Sequence, residues 1–201
     1  MIKSIILLLV SSFLLLMACS PVKTPLTNQY KLTAFSSKHL VNQSKHSILV
    51  TAPDAVGGYQ TEQMLYMQKP YELSAFVKNA WVDQPANMLF PLIVQSLQRS
   101  GYFFAIASTP HAESTEDRLD TQLLELHQNF LKKPSVIDLV AKVVLTHVSD
   151  NRVVASRVIS QHVRCPMDTP YGGVIAANKA AENFTAELAN FVVSKVRQEA
   201  R

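Results

Sequence analysis

The sequence predicts an α+β fold: a single domain in which a largely antiparallel β-sheet carries two main helices on one face. Three observations predict it. Segments 136–148 and 152–163 are long β-branched runs on either side of Ser149-Asp150-Asn151. Asp150-Asn151 accepts the positive φ of a tight turn, so the pair reads as a β-hairpin. Leu89, Leu92, Ile93 and Leu97 recur at three- and four-residue spacing. So do Ala177, Ala181, Phe184, Leu188, Phe191 and Val192, and each set forms one apolar helix face.

Residues 1–18 read as a secretory signal. Lys3 supplies the basic start, and the apolar run from Ile5 to Met17 suits a signal core; a spanning helix needs about 18 or more such residues. Leu16-Met17-Ala18-Cys19 fits the lipoprotein form of that signal, in which the Cys19 thiol takes a diacylglycerol group and the chain is cut before it. Ser20 in place of Asp points to the outer membrane. Residues 19–47 read as the lipidated cysteine and a tether, polar apart from a short period-two strand at 30–35.

The domain proper is expected over 48–201. An apolar strand at 48–52 ends at Pro53, and Gly57-Gly58 marks a turn. Strands at 63–68 and 71–77 meet at Lys69-Pro70. Asp83 is a candidate N-cap for the first helix and Pro85 suits its first turn, whereas Pro91 predicts a kink or a late start near Asn87. Gly101 is a natural stop. A strand at 102–107, a polar loop at 108–117 and a long strand at 119–130 lead to the hairpin. A two-residue loop at Asp150-Asn151 would set His147 opposite Val154 and His162 opposite Leu139. Tyr171-Gly172-Gly173 then opens a helix over 174–197.

Composition narrows the chemistry. The formal charge is +4, falling to +3 once Lys3 leaves, and basic residues form no run longer than Lys132-Lys133, so no nucleic-acid footprint is present. With Cys19 acylated, Cys165 has no disulfide partner and reads as a partly buried bystander. The six histidines lack the spacing of a zinc site, and no phosphate-binding, dinucleotide or nucleophile-elbow motif occurs. Glu113, Glu116 and Asp117 cluster in a polar loop. No catalytic, cofactor or metal residue is assigned, and a non-catalytic protein is expected.

Aromatic residues carry more. Tyr59, Tyr66, Tyr71, Trp81, Tyr102, Phe103 and Phe104 crowd the middle of the chain. Most belong in a core, and a minority at the rim would form a docking surface. Tyr59, Tyr66 and Trp81 are the candidate partner-binding residues.

The order of these features resembles a known family. Cys19 is followed by Tyr30-Lys31-Leu32, Ile48-Leu49-Val50, the Tyr59 to Tyr66 segment, and Glu72-Leu73-Ser74-Ala75-Phe76 leading to Trp81. Leu89, Leu97 and the Tyr171-Gly172-Gly173 helix complete the series. The chain is similar to the ABC-type transport auxiliary lipoproteins, the family of paraquat-inducible protein C. That resemblance implies a non-enzymatic accessory subunit at the outer membrane. Its partners would be a mammalian-cell-entry (MCE) domain protein with an ABC permease and ATPase, moving phospholipids or other hydrophobic molecules. A homo-oligomeric ring is also implied. The alternative expectation is a lipoprotein that itself binds a lipid or amphiphile in a groove between helix and sheet.

Overall fold

The computed structural model describes residues 27–40, 43–110 and 114–199. The signal at 1–18, Cys19 and His111 lie outside the described residues. β1 (Asn28–Tyr30), β2 (Ser47–Val50) and β3 (Asp54–Ala55) precede a single 3₁₀ turn at Gly57–Tyr59. β4 (Gln63–Lys69), β5 (Glu72–Trp81), α1 (Pro85–Ser100) and β6 (Ala105–Ser108) follow. β7 (Asp117–Asn129), β8 (Val136–His147), β9 (Arg152–Arg164) and α2 (Pro170–Glu199) complete the domain.

Among the described residues, nine strands form one mixed sheet organised on β7. Along one edge β7 pairs antiparallel with β8 from Asp117↔His147 to Asn129↔Val136, and β8 pairs with β9. The other edge of β7 is shared in turn by three short parallel strands: β2 at Ile48↔Asp117, β3 at Asp54↔Gln122 and β4 at Tyr66↔Gln128. β6 adds to β2, β5 to β4 and β1 to β5. The longest ladders are antiparallel, as expected, and parallel additions complete the other half.

Both helices cover the same face. α2 lies over β8 and β9 and against α1, which reaches β3, β6 and β7. Ala177, Ala180, Ala181, Phe184 and Leu188 of α2 are fully buried, together with Leu89, Ile93 and Leu97 of α1 and Leu139, Leu145 and Ile159 of the sheet. The alanines let the helix backbone approach the strands closely, and Phe184 fills the space beyond them. Among the described residues, no helix is long and apolar enough to cross a membrane.

The expected boundary at residue 48 is corrected. Residues 31–40 are strapped across both helices: Leu32 is buried, the Thr33 and Ala34 amides donate to Asn178 Oδ1 at 2.8 and 3.2 Å, and the Ser36 amide donates to Thr185 Oγ1 at 2.9 Å. Those side chains take the donors a strand would use. Only Tyr30 of the expected 30–35 strand is therefore paired, within β1. The domain begins near Asn28.

Three local expectations also change. α1 starts at Pro85 and is continuous through Pro91, which sits on its exposed side, where the unpaired Asn87 carbonyl can face water. Asp83 is not its cap, although Asp83 Oδ1 accepts from the Gln84 amide and Asn87 Nδ2. Gly101 does stop the helix, at φ 73°. Asn151 takes the positive φ expected, at 54°, but the connection spans residues 148–151 and a bulge follows at Leu145/Thr146. His147 therefore faces Arg152, and His162 faces Asp138 instead of Leu139. A one-residue slip turns a strand side chain to the opposite face, so the difference decides which groups meet.

Candidate functional site

Alternation along β7 sets two chemistries back to back. Gln128 points to the helices, with its amide oxygen against Gly173 of α2, so His127 points to the other face. There it joins a row across three strands, His127↔Asp138↔His162. Asp138 accepts from His162 Nδ1 at 2.6 Å and from Asn129 Nδ2 at 2.9 Å, and His127 Nε2 stands 3.7 Å away. The Tyr59 hydroxyl lies 3.1 Å from His127 Nδ1, with the two rings stacked.

The alignment Tyr59–His127–Asp138 superficially matches a hydroxyl–imidazole–carboxylate relay. Its electrostatics keep the proton on the phenol. Burial pushes the Tyr59 phenol up to about 12, with Glu125 and Asp138 acting in the same direction, so it stays a neutral donor. Burial also holds His127 below the ordinary imidazole range, against the pull of Asp138 and Glu125. A neutral His127 accepts from Tyr59 at Nδ1 and presents its Nε2 proton to Asp138. The arrangement holds a protonated phenol in place and clasps the 57–59 turn onto the sheet.

The His127 environment predicts a pH response. The unfolded chain binds this proton near pH ~6.5, and the folded chain only at lower pH. Between those values the unfolded state holds more protons, so acidification through that window lowers stability. The urea midpoint is expected to fall between pH 7.5 and 5.5 in the native chain and to fall less in His127→Gln. Equal slopes in the two proteins would refute the assignment.

A second histidine–carboxylate group lies at the start of β7. Asp117 is buried between His147 Nδ1 at 3.5 Å and His46 Nδ1 at 3.9 Å, and burial pushes its carboxyl up against the opposing pull of both imidazoles. Beside it Glu116 accepts from both the amide and the hydroxyl of Ser47, which hold its carboxyl below the usual range. These contacts have hydrogen-bond and ion-pair lengths and tie β2 and β8 to β7. Of the three acids expected to cluster, Glu116 and Asp117 are thus tied into the sheet, and Glu113 lies outside the described residues. Around Asp120 and Gln122 of β7 is an open dent of about 250 Å³ whose border mixes Asp54, Asp120, Lys142, Thr51 and Gln122 with Ala52, Thr121 and Val144.

The candidate partner-binding residues separate. Trp81 is 3 % exposed and belongs to the core, a correction to its expected surface role. It ends β5 opposite Tyr30 of β1, with its amide held by the Glu62 carbonyl, so its indole turns inward. Tyr66 is half-buried in an aromatic cluster, with Phe76 at 4.5 Å and Phe130 edge-on at 6.0 Å between ring centroids. Tyr59 is half-buried in the row described above. The exposed minority of the mid-chain aromatics is instead Tyr71 at the β4–β5 turn and Phe104 before β6. Cys165 is buried, not partly exposed; burial raises its thiol, and Gln128 Nε2 lies 3.6 Å from its sulfur.

Comparison with known proteins agrees with this architecture. No curated protein matches the chain. The crystal structure of protein XCC0632 from Xanthomonas campestris is similar with a TM-score of 0.79 at 20 % identity, covering 86 % of this chain and 99 % of that one. The hypothetical protein CT253 from Chlamydia trachomatis is similar with a TM-score of 0.53 at 10 % identity, covering 76 % and 98 %. At such identities the likeness is one of fold. The sequence model of the ABC-type transport auxiliary lipoprotein component matches residues 30–189, from the end of β1 to well within α2. The chain belongs to the ABC-type transport auxiliary lipoprotein family.

Proposed function

We propose that this protein is a non-catalytic accessory subunit of an MCE-type ABC transport system, held to the periplasmic face of the outer membrane by acyl chains on Cys19. Membership of the auxiliary family is the observation that carries the reading. The cargo class would be phospholipids or other hydrophobic molecules, and the permease and ATPase would be separate chains. Tyr59 and Tyr66 are the retained partner-facing candidates, and ring-like self-association fits a subunit that receives a periplasmic assembly.

The geometry favours a docking role over the alternative of a lipid groove between helix and sheet. That interface is filled by Phe184, Leu188, Leu139 and Ile159, all fully buried. The dent on the opposite face is open and sets Asp54, Asp120 and Lys142 beside Ala52 and Val144, so an acyl chain there would meet charged groups.

Two measurements test the proposal. Each buried CH₂ adds about 0.8 kcal/mol to membrane binding, so several acyl chains on Cys19 would anchor the chain stably. Cys19→Ser is expected to move the chain from the membrane to the soluble periplasmic fraction, and Ser20→Asp to hold it at the inner membrane. Unchanged fractionation of Cys19→Ser would remove the anchor. Crosslinking and affinity capture of the native chain should recover an MCE-domain protein, and repeated failure to do so would remove the partner.

A further inference from the structure

Two turns project side by side at one end of the sheet. Met67 of β4 lies opposite Asn129 of β7, and the Phe130 amide donates to the Met67 carbonyl at 2.8 Å. The β4–β5 turn at Lys69-Pro70-Tyr71-Glu72 therefore neighbours the β7–β8 turn at 130–135. The 165–169 loop joins them, since Asp168 accepts from the Ser135 amide at 2.7 Å and from Lys133 Nζ at 3.4 Å. Tyr71 stands wholly in solvent, 102 % exposed, at φ 66°, and Leu131 is 47 % exposed. Lys69, Lys132, Lys133 and Arg164 are exposed around them, against the acids Glu72 and Asp168. An amphipathic ring amid flexible cations matches the headgroup layer of a bilayer.

The direction of β1 brings this end to the membrane. β1 pairs parallel with β5 at constant register, Asn28↔Asn79 to Tyr30↔Trp81. The start of β1 therefore points back toward the Glu72 end of β5. Glu72 is seven residues upstream of Asn79, about 23 Å along a strand. Cys19 is nine residues upstream of Asn28, a reach of at most about 30 Å. The turn end falls within that reach. The chain ahead of β1 thus heads away from the Asp150-Asn151 end, which lies twelve residues of β7, about 40 Å, from the turn end.

We propose that the turn end carrying Tyr71, Leu131, Lys69, Lys132 and Lys133 rests in the headgroup layer of the membrane that holds Cys19. It makes a second, non-covalent contact with anionic phospholipid. This rests on the lipid-anchor reading and adds an orientation to it: the sheet stands with its β7 start and the 148–151 turn away from the bilayer. Docking of a soluble partner then takes place at that distal end or along the sheet face.

The test uses the full lipidated chain in vesicles of phosphatidylethanolamine with phosphatidylglycerol, some of the lipid carrying brominated acyl chains. Trp81 is buried and gives a constant background measured on the unsubstituted chain. Emission from Tyr71→Trp is expected to shift to the blue and to be quenched about twofold or more by the brominated lipid. Phe104→Trp, exposed at the distal end, is expected to stay red and unquenched. Charge reversal at Lys132 and Lys133 should weaken the quenching of Tyr71→Trp. A chain that floats with the vesicles while Tyr71→Trp stays unquenched, or is quenched no more than Phe104→Trp, overturns the orientation and leaves the anchor standing. A chain that does not float overturns both.

Discussion

Phe184→Ala is expected to destabilise the folded chain by about 3–5 kcal/mol. Phe184 is the largest fully buried side chain among the described residues and lies on the buried face of α2. Truncation forfeits the transfer free energy of the ring and leaves a void. α2 packs on β8, β9 and α1, elements themselves paired or packed along most of their lengths, so the surroundings cannot easily collapse into it. Against a typical total of about 5–15 kcal/mol, the loss is a large share of the whole. Equilibrium denaturation should show a lower midpoint with an unchanged slope. Phe184→Leu keeps most of the volume and should cost less than about 1.5 kcal/mol. A loss below about 1 kcal/mol for the alanine variant would mean that α2 does not seal the core as its burial implies.

How much of this architecture is legible in the chain depends on whether the partner of each residue is near or far. The β8–β9 hairpin declares itself because β-branched runs and Asn151 are contiguous, and α2 because its stripe repeats every turn. Gly101 and Pro85 mark their helix ends by backbone chemistry alone. The parallel strands on the other edge of β7 give no such signal. β2, β3 and β4 are separated in sequence from β7 by a helix and reach it without a shared turn. Composition makes residues 31–40 look like a tether, because the groups that hold them, Asn178 and Thr185, come from the far end of the chain.

The candidate site fails to show in the sequence for the same reason, with register added. His127, Asp138 and His162 share a row only because the β8–β9 bulge and four-residue connection move the pairing from the one a two-residue loop would set. No local pattern encodes that shift. Trp81 is ambiguous from sequence, since a large amphipathic ring suits both a core and an interface, and β1 settles the matter from 51 residues away. Tyr71 is the converse case. The Lys69-Pro70 joint is readable as a turn, but the direction of the next ring follows from a positive φ that only the folded hairpin sets.

Gly172→Ala is expected to lower stability even though alanine is the better helix former. In an open helical site the exchange would gain about 1 kcal/mol, and Gly172 lies in the first turn of α2 without a left-handed backbone that would forbid a side chain. The obstacle is steric. A Cβ at this position would lie 2.1 Å from the Met167 carbonyl oxygen and 2.9 Å from its carbon, both backbone atoms. Either the 165–169 loop or the helix start must move. That loop is held at several points: the Cys165 amide on the Ser135 carbonyl, Asp168 on the Ser135 amide, and Thr169, which accepts from the Gly172 and Gly173 amides and from Gln128 Nε2. Displacing it breaks contacts that join α2 to the β7–β8 turn, so overpacking by about 1–3 kcal/mol outweighs the propensity gain. Gly58→Ala is the matched control, because nothing lies within 4 Å of the added carbon, and its denaturation midpoint should barely move. If Gly172→Ala instead melts at or above the native temperature, the close passage of the loop over the helix start is not part of the folded chain.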